Sequence, residues 1–476
     1  ADIMKGGGFN AVIGNPPYIR IQTMKEWAPA EIEFYKKHYS SANSGNYDIY
    51  VIFVEKGLEL LDKKGLLGFI LPHKFFNAKY GEPLRNLISQ GQNIHEIVHF
   101  GHQQVFENAT TYTCLLFLNK IPQTEFSITK VDNLFNWRSN PSLQNEGKLD
   151  CNLVRSVEWN FVVGENSKLF DKLKSMPTKL ENVTERIFQG IKTSADKIYI
   201  VNEVTRNDKI IKIYSPHQER EYEVEHTLFH PLIKGGDGKR YSIIKPNRLI
   251  LFPYEKQNNL MELIPENKFK ANYPLTWAYL IENKKYLENR EEGKFKGDHW
   301  YQYGRNQALE VIDRPKIFTP DLIAHVSFSL DKIGDLFFPG GAAGGYGILV
   351  SVNYSREYIL GLINSNLLNW FLRQISSSFR GGWFSAESRF IRYLPIRIIN
   401  FSDSTDIARH DKMITLVERM LDLNKRLPEA RTDQEQTLLK RQIAATDKEI
   451  DELVYELYGL TEEEIAIVES GGGNER

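Results

Sequence analysis

The sequence predicts an α/β fold that begins with part of a doubly wound sheet, continues into an α+β region and ends in a helical hairpin. Three observations lead to this prediction. Apolar runs alternate with amphipathic segments over residues 1–120. Short β-rich runs, separated by glycine, proline and aromatic residues, follow over residues 181–402. Two highly charged stretches with a periodic apolar stripe occupy most of residues 403–476.

Size and composition set the outer limits. A chain of 476 residues is too long for one ordinary core, so we expect several domains. The net charge of −1 excludes a global basic footprint for nucleic acid, so any such surface must be local. Two cysteines, Cys114 and Cys151, cannot form a disulfide framework and favour a reducing cytoplasm. No apolar run is long enough for a membrane span, and the N-terminus lacks the apolar region of a signal peptide.

The first region, residues 1–120, alternates strands with helices. We predict a buried strand at residues 9–14, and the other expected elements are helices at 47–61 and 83–88 and strands at 65–72, 94–100 and 113–118. This alternation predicts a mostly parallel sheet. Ligands bind such sheets at the carboxyl ends of the strands, where the first strand runs into a turn.

The rest of the chain changes character twice. Residues 121–180 are polar and mixed, and we interpret them as a connecting extension. The β-rich runs of the α+β region lie at residues 197–201, 248–252, 316–319 and 347–352. In the last region we expect two long helices joined near residues 428–433. Their apolar stripe either packs on its own domain or forms a homodimer or partner contact.

The most informative motif is the turn Asn15-Pro16-Pro17-Tyr18. The exocyclic N6 amine of adenine is a poor nucleophile because its lone pair is delocalised, and acceptors for its two hydrogens help to activate it. The side chain of Asn15 and the backbone carbonyl of Pro16 are two such acceptors, both neutral. Prolines fix φ and carry no N–H, so the turn is rigid. Tyr18 can stack on the base, an interaction of about 1–3 kcal/mol. The four residues are therefore the candidate catalytic residues, although a plain Asn-Pro turn after a strand is the simpler alternative.

Residues 9–18 resemble motif IV of the adenine-N6 DNA methyltransferases. The chain is similar to the methylase and specificity parts of type IIG restriction-modification enzymes with a TaqI-like specificity domain, through residues 47–50, 68–75 and 105–113. The resemblance implies a Rossmann-like methyltransferase sheet. It also implies that Phe106 stacks on the far face of a flipped adenine, so that Tyr18 and Phe106 sandwich the base. By itself Phe106 is better explained as a core residue.

The same resemblance implies a reaction and a cofactor. The target adenine in double-stranded DNA is flipped out, and its N6 takes a methyl group directly from S-adenosylmethionine. The glycine-rich turn that binds this donor precedes motif IV in the family, so we expect it upstream of residue 1. Family members often carry a nuclease, but the spacing of Asp132, Glu146 and Lys148 is only a weak match to a nuclease site.

Later segments resemble the TaqI-like specificity domain, at residues 189–193, 300–305, 364–370 and 375–384. Arginines near aromatic and glycine residues suit phosphate binding and base-edge recognition. The candidate DNA-binding residues are Lys192, Thr193, Arg305, Arg373, Arg380, Arg389 and Arg392. A solvated polar surface is the alternative for each of them. We predict no metal site.

Two competing functions stay open at this point. The first is a DNA-recognition module that is inactive as an isolated fragment, because the donor-binding turn is expected elsewhere. The second is a methyltransferase for amino groups of protein or RNA, which can use the same Asn-Pro-Pro-Tyr turn. The large second region argues against the latter. The target sequence cannot be inferred from these residues.

Overall fold

The computed structural model describes residues 6–43, 45–101, 103–106, 111–131, 133–141, 145–155, 158–162, 166–258, 260–379 and 381–471. The chain divides into two compact units. Unit 1 covers the chain up to Lys172 and the segment Ser377–Gly382, and unit 2 covers Leu173–Ser376 and Trp383–Arg476. Arg380 and Asp132 lie outside the described residues, as do residues 107–110 of the segment 105–113 that carries the resemblance to the motif of Phe106.

Unit 1 is built on a single sheet. Its strands are β1 (Phe9–Gly14), β2 (Leu61–Pro72), β3 (Ile94–His99), β4 (Thr113–Asn119), β5 (Glu125–Lys130) and β6 (Asn145–Asp150). They form a six-stranded sheet in the order β1-β2-β4-β3-β5-β6. The helices are α1 (Ile21–Met24), α2 (Pro29–His38), α3 (Tyr50–Leu60), α4 (Glu82–Gln90) and α5 (Leu134–Ser139), and α6 (Asn166–Lys174) crosses into unit 2. The region predicted as a connecting extension thus supplies β5 and β6 to the sheet.

The sheet is mixed rather than mostly parallel. Strands β1 and β2 are parallel, as are β3 and β5, whereas β4 runs antiparallel to both of its neighbours, β2 and β3. The physical reason is that β3 and β4 follow each other in the chain and lie side by side, and a direct connection between adjacent strands reverses the chain direction. Simple alternation of strands and helices does not reveal this reversal.

Strand β1 forms where it was predicted, but it is not buried. Ile13 is 85% exposed, and Phe9 is exposed as well. Among the described residues β1 pairs only with β2, so it lies at one edge of the described sheet. An apolar run predicts a strand correctly but cannot tell an edge strand from a central one.

The core of unit 1 lies between β2 and α3. Leu67 and Leu71 of β2 and Val51 and Val54 of α3 are fully buried. Gly57 permits the close approach of the two elements, because a Cβ atom at this position would lie 2.4 Å from Leu67 Cδ1. This packing fixes the position of β2. Because β1 pairs with β2, the packing also fixes where β1 ends and the 15–18 turn begins.

Unit 2 is an α+β assembly, which agrees with the predicted fold class. Its strands are β7 (Thr184–Gln189), β8 (Ile200–Arg206), β9 (Ile210–Ser215), β10 (Arg220–Glu225), β11 (Phe229–Pro231), β12 (Gly238–Lys239), β13 (Ser242–Ile243), β14 (Arg248–Leu251), β15 (Tyr254–Gln257), β16 (Leu260–Leu263), β17 (Lys316–Pro320), β18 (Leu322–Ile323), β19 (Ser329–Asp331), β20 (Gly345–Val350) and β21 (Phe384–Ser385). The two larger sheets have the orders β10-β9-β8-β14-β11 and β19-β17-β20-β7.

The helices of unit 2 are α7 (Asp196–Tyr199), α8 (Glu266–Asn272), α9 (Pro274–Glu282), α10 (Lys284–Glu288), α11 (Arg356–Ile363), α12 (Asn366–Ile375), α13 (Ser388–Ile391), α14 (Ser404–Arg426), α15 (Asp433–Tyr458) and α16 (Glu462–Gly471). None of the helices in the described part of the chain combines the length and the apolar character that crossing a membrane requires.

The predicted helical hairpin is confirmed as α14 and α15. Asp403 caps the first helix by accepting from the backbone N–H of Thr405, and Thr432 caps the second. Gly459 ends α15 in the left-handed conformation, with φ of 58°. The apolar stripe packs on its own unit, since Gly361 of α11 lies against Met413 of α14. A contact with a second copy stays a prediction, as do the domain boundaries at residues 120, 180 and 402.

Candidate active site

The 15–18 turn lies at an edge of the sheet where several strands end. Gly14, the last residue of β1, pairs with Phe69 of the parallel strand β2. Pro72, which ends β2, pairs with Thr113 at the start of β4. The carboxyl ends of β1, β2 and β3 and the beginning of β4 therefore share one edge. This is the edge at which open α/β sheets bind ligands.

The turn presents an unpaired amide. The side chain of Asn15 is exposed and makes no hydrogen bond with any residue that the structure describes, whereas Pro16 is buried and Pro17 is half-buried. The buried proline has a fixed φ and fixes the course of the backbone, so the exposed amide projects from a rigid support. Its oxygen is free to accept a hydrogen bond from a ligand.

Tyr18 is held firmly beside this amide. Its hydroxyl donates to the backbone carbonyl of Ile70 over 3.1 Å, and its ring meets the ring of Tyr50 edge to face, with centroids 6.4 Å apart. Burial raises the pKa of Tyr18 to about 12, so the phenol stays neutral at physiological pH. Sequence analysis gave Tyr50 no role; the residue belongs to the matching segment 47–50, which was the only signal for it.

Phe106 lies in the connection from β3 to β4, which begins and ends at the same edge of the sheet. Its side chain is half-buried and makes no ring contact with another described residue. Val105, just before it, packs against Val98, Phe100 and Val131. The structure thus brings Tyr18 and Phe106, both described residues, to the same edge of the sheet. The two rings are not in contact with each other.

In unit 2, Lys192 and Thr193 line a cleft of about 480 Å³. Thr193 is buried, and its hydroxyl donates to Asp196 and accepts from the backbone N–H of Ala195 over 2.9 Å, so its side chain has a structural role. Lys192 is exposed, and its carbonyl accepts from the backbone N–H of Arg305 over 3.1 Å. Two of the predicted DNA contacts, Lys192 and Arg305, therefore lie next to each other.

Arg305 is exposed but already paired with Glu291 at 2.8 Å. Glu291 also accepts from the hydroxyl of Ser194 over 3.0 Å. Both Glu291 and Ser194 have left-handed backbone conformations, with φ of 46° and 55°. Such conformations are costly in residues other than glycine and occur where the surroundings enforce them. The carboxylate therefore links the 192–194 loop to Arg305.

Arg290, which sequence analysis missed, stabilises the same loop through hydrogen bonds. It is buried and donates to the carbonyls of Leu287, Thr193 and Trp300 over 2.7–2.8 Å, and its guanidinium lies 4.0 Å from the ring of Phe295. Burial lowers its pKa, yet an arginine remains charged at all physiological pH values. No local pattern marks this residue, because the carbonyls of Thr193 and Trp300 are brought to it by the fold and only Leu287 is a near neighbour in the chain.

Three further predicted DNA contacts, all among the described residues, have partners within the protein. Arg373 donates to the carbonyl of Ala324 and lies 4.6 Å over the ring of Phe384. Arg389 binds the carboxylate of Glu387 through Nε and Nη2, over 2.9 and 3.1 Å. The third side chain, Arg392, donates to the carbonyl of Ser388 and lies 3.9 Å from Glu181. A DNA phosphate would have to compete with these partners.

Two known protein families match parts of this sequence. Residues 1–106 match the Eco57I restriction-modification methylase family, and residues 230–396 match the TaqI-like C-terminal specificity domain. The chain is 31% identical over 476 residues to the type II restriction enzyme and methyltransferase RM.Eco57I of Escherichia coli, covering 95% of this chain and 46% of that protein. It is 21% identical to the type II methyltransferase M.BstVI of Geobacillus stearothermophilus, covering 97% of this chain and 75% of that protein.

A solved structure extends this likeness to the fold. The type IIL restriction-modification enzyme MmeI, determined in complex with DNA, superposes with a TM-score of 0.56 at 12% identity and covers 97% of this chain and 56% of MmeI. The two domains define a protein with a methylase part and a specificity part. The chain is homologous to the type II restriction-modification methyltransferases, and it spans about half the length of RM.Eco57I. The predicted resemblance to a restriction-modification methylase with a TaqI-like specificity domain is confirmed.

Proposed function

We propose that the protein methylates the N6 amine of adenine in double-stranded DNA at a specific sequence, as part of a restriction-modification system. The observation that carries the proposal is the exposed, unpaired amide of Asn15 beside the fixed ring of Tyr18, at the carboxyl end of β1. The relatives that are type II methyltransferases match 95% and 97% of the chain, which favours an enzyme over a recognition module without activity.

The residues of the turn have different roles in the proposed reaction. The amide oxygen of Asn15 accepts from one N6 hydrogen and the backbone carbonyl of Pro16 accepts from the other, so the nitrogen lone pair is directed away from the ring plane. The ring of Tyr18 stacks on one face of the flipped base and Phe106 on the other. Stacking offsets part of the cost of flipping, which is a few kcal/mol. Positioning and hydrogen bonding supply the rate, with no covalent enzyme intermediate.

S-adenosylmethionine fits the chemistry of this turn as the methyl donor. The turn presents an amide, backbone carbonyls and a phenol that burial keeps protonated, and these neutral groups do not repel a sulfonium cation. When bound, this cofactor supplies an electrophilic methyl group. We place its main binding turn outside the residues described. Calorimetric titration of this chain with S-adenosylmethionine tests that placement, because tight binding by the chain alone would contradict it.

Unit 2 is proposed to bind the DNA duplex. The match to the TaqI-like specificity domain supports this, as does MmeI, whose structure contains DNA. Lys192 and Arg305 are the residues best placed for DNA contacts, because they are exposed and adjacent. The backbone of Thr193 shapes the loop, and Arg373, Arg389 and Arg392 would contact phosphates only after exchanging their present partners. Arg380 remains a predicted contact.

The test of the proposed reaction is Asn15→Ala in the full-length protein. We expect methyl transfer to duplex DNA to be abolished while the affinity for DNA stays nearly unchanged, since the substitution removes an acceptor and no DNA-binding charge. Transfer of labelled methyl groups, with the product identified as N6-methyladenine by mass spectrometry, measures the outcome. Asn86→Ala, an exposed asparagine on α4, is the matched control.

Two outcomes would contradict the proposal. An Asn15→Ala protein that retains more than about a tenth of the wild-type turnover would show that the amide has no catalytic role. Loss of one positioned hydrogen-bonding group of this kind usually lowers kcat at least about a hundredfold. Competition by RNA that equals competition by duplex DNA in a gel-shift assay would favour the alternative of an RNA methyltransferase.

A further inference from the structure

The connection between β3 and β4 is held from two sides at its first turn. The Nε2–H group of His73 donates to the carbonyl of Gly101 over 3.0 Å, and the backbone N–H of Gly101 donates to Nδ1 of His99 over 3.0 Å. The two imidazole rings lie 4.4 Å apart. Gly101 has a φ of 56°, a conformation that favours glycine. Both histidines act here as neutral rings, and burial lowers the pKa of each.

A second attachment follows two residues later. The side-chain amide of Gln103 donates to the carbonyl of Val131, and its oxygen accepts from the backbone N–H of Leu134. One glutamine thus joins the connection to the end of β5 and to the start of α5. Its backbone N–H also donates to the carbonyl of Phe100 over 3.0 Å, which closes the turn.

Apolar contacts complete the attachment immediately before Phe106. Phe100 meets the ring of Trp137 edge to face, with centroids 5.1 Å apart, and Val105 packs on the same small core with Leu134. The side chain of Arg138 donates to the carbonyl of Val105 over 3.4 Å. The residue that carries the predicted stacking ring therefore follows a segment bound to β5 and α5.

We propose that His73 and Gln103 are positioning residues that hold the β3–β4 connection so that Phe106 stacks on the flipped base. This inference rests on the proposed function and deepens it. Stacking requires a ring at van der Waals distance and nearly parallel to the base, and a mobile ring loses part of that interaction to conformational entropy. His73 and Gln103 act through Phe106 and do not touch the base.

A double-mutant cycle between Gln103 and Phe106 tests this inference in the full-length protein. We expect Gln103→Ala to lower kcat/KM for methylation about tenfold, the scale of one lost base-stacking contact. The fluorescence rise of 2-aminopurine at the target position, which reports base flipping, should decrease in parallel. In the Phe106→Ala background the same substitution should have almost no further effect, because the ring that it positions is already gone. Gln90→Ala, an exposed glutamine of α4, is the control.

His73 offers an independent second test if the Gln103 variant fails to fold. The amide nitrogen of glutamine can take the place of Nε2, so His73→Gln should retain more flipping and activity than His73→Ala, while His95→Ala, an exposed histidine of β3, should change neither. Equal losses from Gln103→Ala in both backgrounds would overturn the inference, as would His73→Gln and His73→Ala proteins with the same activity.

The outcomes also separate the inference from the proposed function. If Phe106→Ala methylates and flips normally while Asn15→Ala is inactive, the positioning role fails and the proposed reaction stands. If the wild-type protein methylates no duplex DNA, both fail.

Discussion

The hydroxyl of Tyr18 donates a hydrogen bond to the backbone carbonyl of Ile70 over 3.1 Å. This bond ties the last residue of the 15–18 turn to the neighbouring strand β2, two residues before that strand ends at Pro72. The edge of Tyr18 is further fixed by Tyr50, whose hydroxyl lies 2.8 Å from that of Tyr80. The ring is therefore oriented before any ligand binds.

Two substitutions of Tyr18 separate its ring from its hydroxyl. Tyr18→Phe keeps the stacking face and loses only the bond to Ile70, so kcat/KM for methylation should fall by no more than about fivefold, which corresponds to one net hydrogen bond of about 1 kcal/mol. Tyr18→Ala loses the ring and should fall at least about tenfold. Steady-state methylation kinetics measure both. A Tyr18→Ala protein as active as Tyr18→Phe would exclude stacking on this ring.

The pair of Arg305 and Glu291 gives a prediction for DNA binding. Arg305→Ala should weaken the affinity for duplex DNA and reduce the magnitude of the salt slope by about one, as expected for one lost phosphate contact. Glu291→Gln should strengthen binding, because it frees Arg305 and removes a negative charge. Fluorescence anisotropy over a range of salt concentrations measures both effects.

A second exposed ion pair serves as the control for that experiment. Arg314 pairs with Glu185 at 2.7 Å elsewhere in unit 2. Arg314→Ala should leave the affinity and the salt slope unchanged. If it matches Arg305→Ala, the effect is one of general charge and the assignment of Arg305 fails.

Lys316 and Asp331 form a buried ion pair in unit 2, at 2.6 Å and with both side chains almost fully buried. Asp331 also accepts from the backbone N–H groups of Gly334 and Leu336. Lys316→Met leaves this carboxylate buried without its cation, so the free energy of unfolding should fall by about 3–5 kcal/mol. Urea denaturation measures the change. The exposed pair of Lys270 and Glu266 is the control.

Comparison with that control determines the interpretation. Lys270→Met should cost less than about 1 kcal/mol, since exposed pairs contribute little to stability. A Lys316→Met protein with an equally small loss would show that the carboxylate is compensated by its backbone donors alone.

Asp451 of α15 gives a prediction for pH. Burial, opposed by Arg240 and reinforced by Asp447, raises its pKa from 3.8 to about 7. The folded protein therefore holds a proton that the unfolded chain releases. This group's contribution to stability is fully present below pH 3.8 and is lost as the pH rises through about 7.

The variant Asp451→Asn isolates that contribution. Its amide oxygen can still accept from the backbone N–H of Asn366, the bond that Asp451 makes over 2.7 Å. The stability of the variant relative to the wild type should be greater at pH 8 than at pH 5, measured by urea denaturation at both values. A difference that is the same at both pH values would show that Asp451 titrates normally.

The sequence predicted those elements whose structure depends on the residues of one continuous segment. The periodic apolar stripe within residues 403–476 predicted the hairpin, and an apolar run ending in Asn-Pro-Pro predicted β1 and its turn. Residues 248–252, 316–319 and 347–352 correspond to β14, β17 and β20. The run at 197–201 is divided between α7, which ends at Tyr199, and β8, which begins at Ile200.

Sequence reasoning missed what depends on distant partners. The exposure of Ile13 follows from the position of β1 at the edge of the described sheet, and the reversal of β4 follows from its insertion between β2 and β3. Arg290 and Gln103 bind backbone carbonyls that lie far away or in another element, so nothing next to them in the sequence marks their roles.

Gln103 and the strands β5 and β6 also bear on how such proteins can be recombined. Exchanging recognition parts between relatives requires a junction in the chain, and the polar stretch after residue 120 looks like a natural place to cut. A cut there would remove the two outer strands of the sheet and the carbonyl of Val131 to which Gln103 donates. Chimeras joined beyond Asp150 keep β5, β6 and the carbonyl of Val131 from the same parent as Gln103.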